Sequence, residues 1–362
     1  MGVDRRRFLK AAAAGAAVSA VPTLPARVYA QTQRKVSFMQ AWLPDGSNMF
    51  IYAAKNKGFY RKRGIDLEIS RGFGSVAASQ AVGAGKFDFG MAAVAAGVQQ
   101  TAKGLDLVHM GTVHYDSTMG IAVLADSPIK TPKDLEGRKL GSTVTSGEYP
   151  FLPLFAKNAG VDLAKVQRVQ LDAQVRNRAL LSKEVDAISA FAGSSIPSLA
   201  AQGVNTRFIP YSKHGVGLYG LAFMTQQKRL AEDASLCQAV VEASLEGLAF
   251  ALNNPDEALE AFAGELKEMA MTKSGLDQIR IGFGMYALTS LGPEAKRGLG
   301  WQDPESIKRQ TDLVMEFVAD KSDKRPELEK LYTNRFTGSM KLTDAQWSAA
   351  EKRFAKYVSL VG

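Results

Sequence analysis

The sequence predicts an α/β protein of two lobes, each a mostly parallel sheet flanked by helices, with two hinge crossovers joining them. Three observations carry that prediction. Residues Lys35–Gly90 alternate short strands with helices, and helices between short strands impose a parallel, layered sheet. A second strand–helix series begins at Lys139, after the charged, loop-rich stretch Asp126–Gly141. From Leu236 onward apolar residues recur at three- and four-residue spacing, the period of core-facing helices. Ligands of such sheets bind in the crevice beyond the strand carboxyl ends.

In the first lobe, Val36, Phe38 and Gln40 alternate with Ser37, Met39 and Ala41 until Pro44-Asp45-Gly46 breaks the strand. Ser47 or Asn48 then caps a helix that runs to near Gly64, with Phe50, Ile51, Ala53 and Ala54 on its apolar side. Ile65–Ile69 is the next half-buried strand. Gly72–Gly85 turns into a helix whose first amides either bind an anion or carbonyl oxygen, or merely close a tight turn. Phe87–Gly90 makes a third strand, Ala92–Lys103 a small-residue helix and Leu105–Thr112 a fourth strand. Tyr115 and Ser117 lie between that strand and Gly120–Ala125. His109 and His114 are five apart with no acidic or Cys partner at ligand spacing, so they read as structural residues and no metal site is expected.

In the second lobe, Thr131–Leu135 is a short capped helix with Pro132 at its start. Lys139–Ser142, Val166–Leu171, Val185–Ala190 and Thr206–Ile209 read as strands, and Val216–Met224 returns the chain to the first lobe. The loop Thr145-Ser146-Gly147-Glu148 corresponds to the Gly72–Ser75 turn, with Glu148 either a ligand acceptor or a first-turn helix residue. The expected boundaries are residues 31–124 for the first part of lobe I, 125–217 for lobe II, and 218–362 for the return with its carboxyl-terminal helices. The expected ligand-binding set is Trp42, Asn48, Gly74, Ser75, Ala93, Tyr115, Ser117, Thr145, Ser146, Gly147, Glu148, Phe191 and Tyr219. Rings, amides and hydroxyls dominate it, with no nucleophile–base pair, so no catalytic residue is assigned. Met269, Met271, Phe283 and Met285 read as packing residues rather than a cofactor box.

The formal net charge of the 362 residues is +9. Residues 1–30 hold five basic residues against Asp4, which leaves 40 basic and 35 acidic residues, a net of +5, in the rest. No basic block with interleaved aromatics appears, so nucleic acid is not an expected partner. The single cysteine, Cys237, cannot form an intrachain disulfide and reads as a buried helical residue. Asp4-Arg5-Arg6-Arg7-Phe8-Leu9-Lys10, the Ala-rich run to Val21 and Val28-Tyr29-Ala30 resemble a twin-arginine signal peptide over residues 1–30. They imply export to the periplasm with cleavage near Ala30-Gln31.

Five stretches, 42–48, 53–67, 84–90, 126–141 and 332–336, resemble in order the substrate-binding proteins of ABC importers for sulfonates, nitrate, taurine and thiamine-pyrimidine precursors. The resemblance implies a type II periplasmic-binding-protein fold, a monomer, a small-molecule ligand, an ABC permease in the inner membrane and no cofactor. Y-T-N-R-F (332–336) is more like the pyrimidine-precursor branch. Glu148 as an acceptor, with Trp42, Tyr115, Tyr149 and Phe191 as stacking rings, points the same way. Sulfonate-, taurine- or nitrate-type anions are the alternative. A related branch, the thiamine pyrimidine synthases, carries a Lys that holds pyridoxal phosphate and a sacrificed His. Those two positions fall here on Ala92 and Ala96, and the cysteine-rich motif is missing, so an enzyme is not expected.

Overall fold

Two five-stranded sheets organise residues 33–360, the residues that this computed structural model describes. The export-like segment and its cleavage site lie outside them. The strands are β1 (Arg34–Met39), β2 (Ile65–Ser70), β3 (Phe89–Ala93), β4 (Val108–Thr112), β5 (Met119–Leu124), β6 (Lys139–Ser142), β7 (Gln167–Gln170), β8 (Ala187–Phe191), β9 (Thr206–Pro210) and β10 (Leu221–Thr225). The first sheet has the order β2-β1-β3-β10-β4 and the second β7-β6-β8-β5-β9.

The two sheets repeat one plan. In the first, β2, β1 and β3 are parallel, and β10 enters antiparallel between β3 and β4. In the second, β7, β6 and β8 are parallel, and β5 enters antiparallel between β8 and β9. Each antiparallel strand is the first one formed after the chain crosses from the other sheet. So β5, expected in the first lobe, pairs in the second, and the change of sheet falls between Thr112 and Met119 rather than after residue 124. The two crossovers run side by side. Ser117 N–H donates to Leu218 O at 2.8 Å, and Gly220 N–H to His114 O at 2.7 Å.

Local chemistry explains where elements begin. Asp45 opens a 3-10 turn at Gly46–Asn48 by accepting the Ser47 amide, and Asn48 then holds the N-cap position of the helix that follows, without a side-chain bond into it. Helix α1 (Met49–Asn56) is shorter than its apolar pattern suggested, and a 3-10 turn at Arg61–Arg63 fills the chain up to left-handed Gly64. Helix α2 (Ser75–Gly83) follows the Gly72–Gly74 turn. β3 extends through Ala93, beyond the expected end at Gly90, because Gly90–Ala93 pairs with β10; pairing overrides the weak strand preference of alanine. Helix α3 (Val94–Ala102) therefore starts late.

In the second lobe, helix α4 (Arg176–Leu181) follows β7 and helix α5 (Ala192–Ala200) follows β8. Helix α6 (Ala234–Asn253) is long and apolar enough to cross a membrane, but Leu236, Cys237, Val240 and Leu248 bury it in the protein core. Helix α7 (Lys273–Ser290) packs on both α5 and the Gly46–Asn48 turn. Gly193 permits that approach, since a Cβ there would lie 2.5 Å from the Tyr286 ring. One apolar cluster consequently joins Phe38 and Phe223, Phe283, and Ile188 and Ile196. Phe283 and Met285 are packing residues as expected, whereas Met271 is 81% exposed.

Candidate ligand-binding site

The strand carboxyl ends of both sheets converge on one small cavity lined by Ala41, Trp42, Ser47, Ser75, Ser146, Arg176, Phe191, Ser194, Leu221 and Tyr286. It encloses about 20 Å³, roughly the space of one water. Larger depressions, of about 390 and 650 Å³, open on the outer surface, one beside Arg280 and Arg353 and the other beside Lys103 and Arg325. Neither is lined by the strand ends, where this sheet arrangement places a site.

The loops that follow β2 and β6 touch directly. Val76 N–H donates to Thr145 O at 3.1 Å, and Thr145 Oγ1 donates to Phe73 O at 2.5 Å. Gly74 has φ 122°, and a Cβ on it would lie 2.0 Å from Thr145 O. Only glycine suits that left-handed, crowded position. Ser75 Oγ accepts the Ala93 amide at 3.1 Å, tying the α2 start to the end of β3. Gly147 sits between Ser75 and the Phe191 ring.

The buried polar groups form two sets. Glu148 is fully buried and accepts from Arg176 Nη1 at 3.0 Å; Ser189 Oγ reaches the same oxygen at 3.2 Å, and Ser146 Oγ bonds the other. Arg176 is 2% exposed, and its Cζ lies 4.7 Å from the Trp42 ring centroid, a cation–π contact. Burial pushes the guanidinium pKa down and Glu148 opposes the shift. The second set centres on Asp45, which accepts from Ser47 N–H at 2.8 Å, Ser47 Oγ at 2.5 Å and Ser194 Oγ at 2.7 Å. Among the described residues no cation pairs with it, and burial holds its carboxyl above the usual carboxylate range despite those bonds. Ser194 Oγ also lies 3.2 Å from Tyr286 Oη.

Of the thirteen expected residues, Trp42, Ser75, Ser146 and Phe191 line the cavity. Gly74, Ala93, Thr145, Gly147 and Glu148 stand directly behind these. The other four are elsewhere. Asn48 is buried in the capping turn, bonding Leu43 O and the Asp45 amide. Ser117 belongs to the paired crossovers, and Tyr115 packs edge-on against Tyr219 at 5.5 Å. Tyr219 bonds Glu294 and Gln310. Tyr149 lies at the second sheet's outer edge with Arg168 and Gln170. His109 and His114 are buried, and burial pushes their imidazoles down to about 4 and about 3. His114 stacks on Tyr286 at 4.5 Å.

Glu148 is thus committed to Arg176, and the expectation of an unoccupied acceptor for an amine fails. Sequence reasoning missed Arg176, whose segment Val175-Arg176-Asn177-Arg178 gives no hint which arginine turns inward. It also missed Asp45 and Tyr286, the latter 238 residues after Asn48 on a helix read as pure packing.

A chain with two matching mixed sheets and a polar cleft at their strand ends has the two-lobed periplasmic-binding-protein fold. The alkanesulfonate-binding protein SsuA of Xanthomonas axonopodis pv. citri, solved with MOPS, superposes with a TM-score of 0.64 at 16% identity, over 83% of this chain and 98% of that one. Within that fold the chain belongs to the NMT1/THI5-like family, whose profile matches residues 46–258. A putative thiamine biosynthesis protein of Haemophilus influenzae is 27% identical over 232 residues, 64% of this chain and 73% of its own. A formylaminopyrimidine-binding protein of Halalkalibacterium halodurans is 23% identical over 226 residues, 62% and 68% of the two chains.

Proposed function

We propose that this chain is the periplasmic solute-binding component of an ABC importer, closing its lobes around a small planar, polar ring of the thiamine-pyrimidine-precursor kind. One observation carries the reading. The strand ends of two sheets, whose loops also touch directly through Thr145, meet in a cavity walled by Trp42, Phe191 and Tyr286 and edged by four serine hydroxyls. Rings grip a planar solute by its faces while hydroxyls orient its edge. The formylaminopyrimidine-binding relative supports the class, and the twin-arginine-like segment supports export. An inner-membrane permease would read the closed form, in a shift of an open–closed equilibrium. Small-angle scattering tests the closure: the solute should lower the radius of gyration, and an unchanged curve at saturation would end the hinge account.

Sulfonate-type anions are the second reading, favoured by the Arg176 guanidinium at the cavity wall. A pyridoxal-phosphate enzyme does not fit these residues. Ala92 and Ala96 are packed in the core at the two positions where such chemistry needs an amine and an imidazole. Purified protein with the absorbance of bound pyridoxal phosphate would reverse that conclusion.

A further inference from the structure

We infer that the solute carries a carboxylate on its ring and that the Nε edge of Arg176 is its counter-ion. This rests on the solute-binding reading above. Arg176 lines the cavity while almost wholly buried. Its Nη1 is taken by Glu148, its Nη2 reaches only Ser195 Oγ at 3.5 Å, and its buried Nε–H has no acceptor. The Nε and Nη2 hydrogens form a planar fork that matches the two oxygens of a carboxylate. A buried donor of this kind is costly when unmade, so the open Nε–H calls for an acceptor, and Nη2 could exchange its long Ser195 bond for a second one.

The guanidinium is also held in place. Glu148 fixes it from one edge and the Trp42 ring covers one face, so little order is lost when an acid docks. Beside it, Ser75 Oγ accepts the Ala93 amide and keeps its own hydrogen to donate.

Asp45 on the facing wall is the other buried carboxylate, and burial favours its neutral form. Arg176 and Glu148 cancel one another. A further arginine, Arg71 at the end of β2, also has Nε and Nη2 buried without an acceptor, and its Cζ lies 4.3 Å from the Phe73 ring centroid. It precedes Gly72, whose amide bonds Trp42 O, in the loop that leads to the cavity. A carboxamide of the same shape offers the fork one oxygen and one NH₂. The NH₂ faces donors, which is how a site made of donors rejects an isostere.

Calorimetric titration of the purified protein with matched pairs tests this: pyrimidine-5-carboxylate against pyrimidine-5-carboxamide, and benzoate against benzamide, with benzenesulfonate and a neutral aminopyrimidine alongside. The acid of each pair should bind about tenfold to a hundredfold tighter than its amide. The double variant Arg176→Gln/Glu148→Gln, which removes both charges together, should stay folded and lose the preference. Amides or the neutral aminopyrimidine binding as tightly as the acids would overturn the inference and leave the solute-binding reading intact. Sulfonate alone binding would overturn the carboxylate in favour of a tetrahedral acid. No ring of any kind binding would overturn both.

Discussion

Each wall of the cleft buries one carboxylate, and the two are held in opposite ways. Glu148 has a counter-ion, and Arg176, Ser146 and Ser189 all belong to its own sheet's lobe. Asp45 has hydroxyls and an amide but no cation, and one of its bonds, to Ser194, crosses to the other lobe. Parting the lobes would keep the Glu148 hydrogen bonds while removing the Trp42 ring from Arg176, and would take from Asp45 its Ser194 bond while leaving those to Ser47. Glu148 is therefore held within one wall, whereas Asp45 is held partly by the other lobe and would sense the proposed closure. Neutralising a buried carboxylate is costly where it is paired and nearly free where it is not.

The largest test of this contrast is Arg176→Met, which leaves Glu148 buried without its partner. It should cost about 3–5 kcal/mol in chemical denaturation, and adding Glu148→Gln should return much of the loss. A single-variant cost under about 1 kcal/mol would show that the pair does not hold the wall.

Next in size is Gly74→Ala, which puts a Cβ against Thr145 O at a position with φ 122°. The clash with Thr145 O lies between the two lobes and would oppose the proposed closure by about 1–3 kcal/mol, so solute affinity should fall about fivefold to a hundredfold. The radius of gyration should rise while thermal stability changes little. An equal loss of fold stability would place the strain inside one lobe instead.

The smallest effect is expected at Asp45→Asn. Burial raises the folded carboxyl pKa above its unfolded value, so between those two values the folded state holds more protons than the unfolded. Stability from this group is full below about pH 4 and declines as pH rises through the folded value. Asparagine should remove that decline and change stability at pH 7 by no more than about 1 kcal/mol, upward. A loss of several kcal/mol at pH 7 would mean that the ionised carboxylate is itself a structural group.

Much of the architecture was legible because strand and helix periods are local. The alternation of Val36 and Phe38, the punctuation at Gly46, Gly64 and Gly72, and the repeated helical spacing after Leu236 are each written within a dozen residues. Boundaries drifted where a partner strand decided them, as at Ala93, which pairs with Leu221. The site was half legible. Trp42, Ser75 and Ser146 follow strand ends and Phe191 ends β8, and strand ends of a layered α/β sheet converge by topology. Asn48 turned back into a cap and Tyr219 turned toward Glu294, and nothing local distinguishes those fates.

By itself the sequence determined the class of fold, the order of its strands and helices, and the loops that could meet a ligand, because hydrophobic period and turn chemistry act over a few residues. Tertiary structure alone decided that Arg176 would neutralise Glu148, that Asp45 would lean on Ser194, and that Tyr286 would close the cavity. Those three contacts join residues 28, 149 and more than 200 positions apart. Their energies come from burial and opposite charge, which no stretch of chain carries until the two sheets have packed.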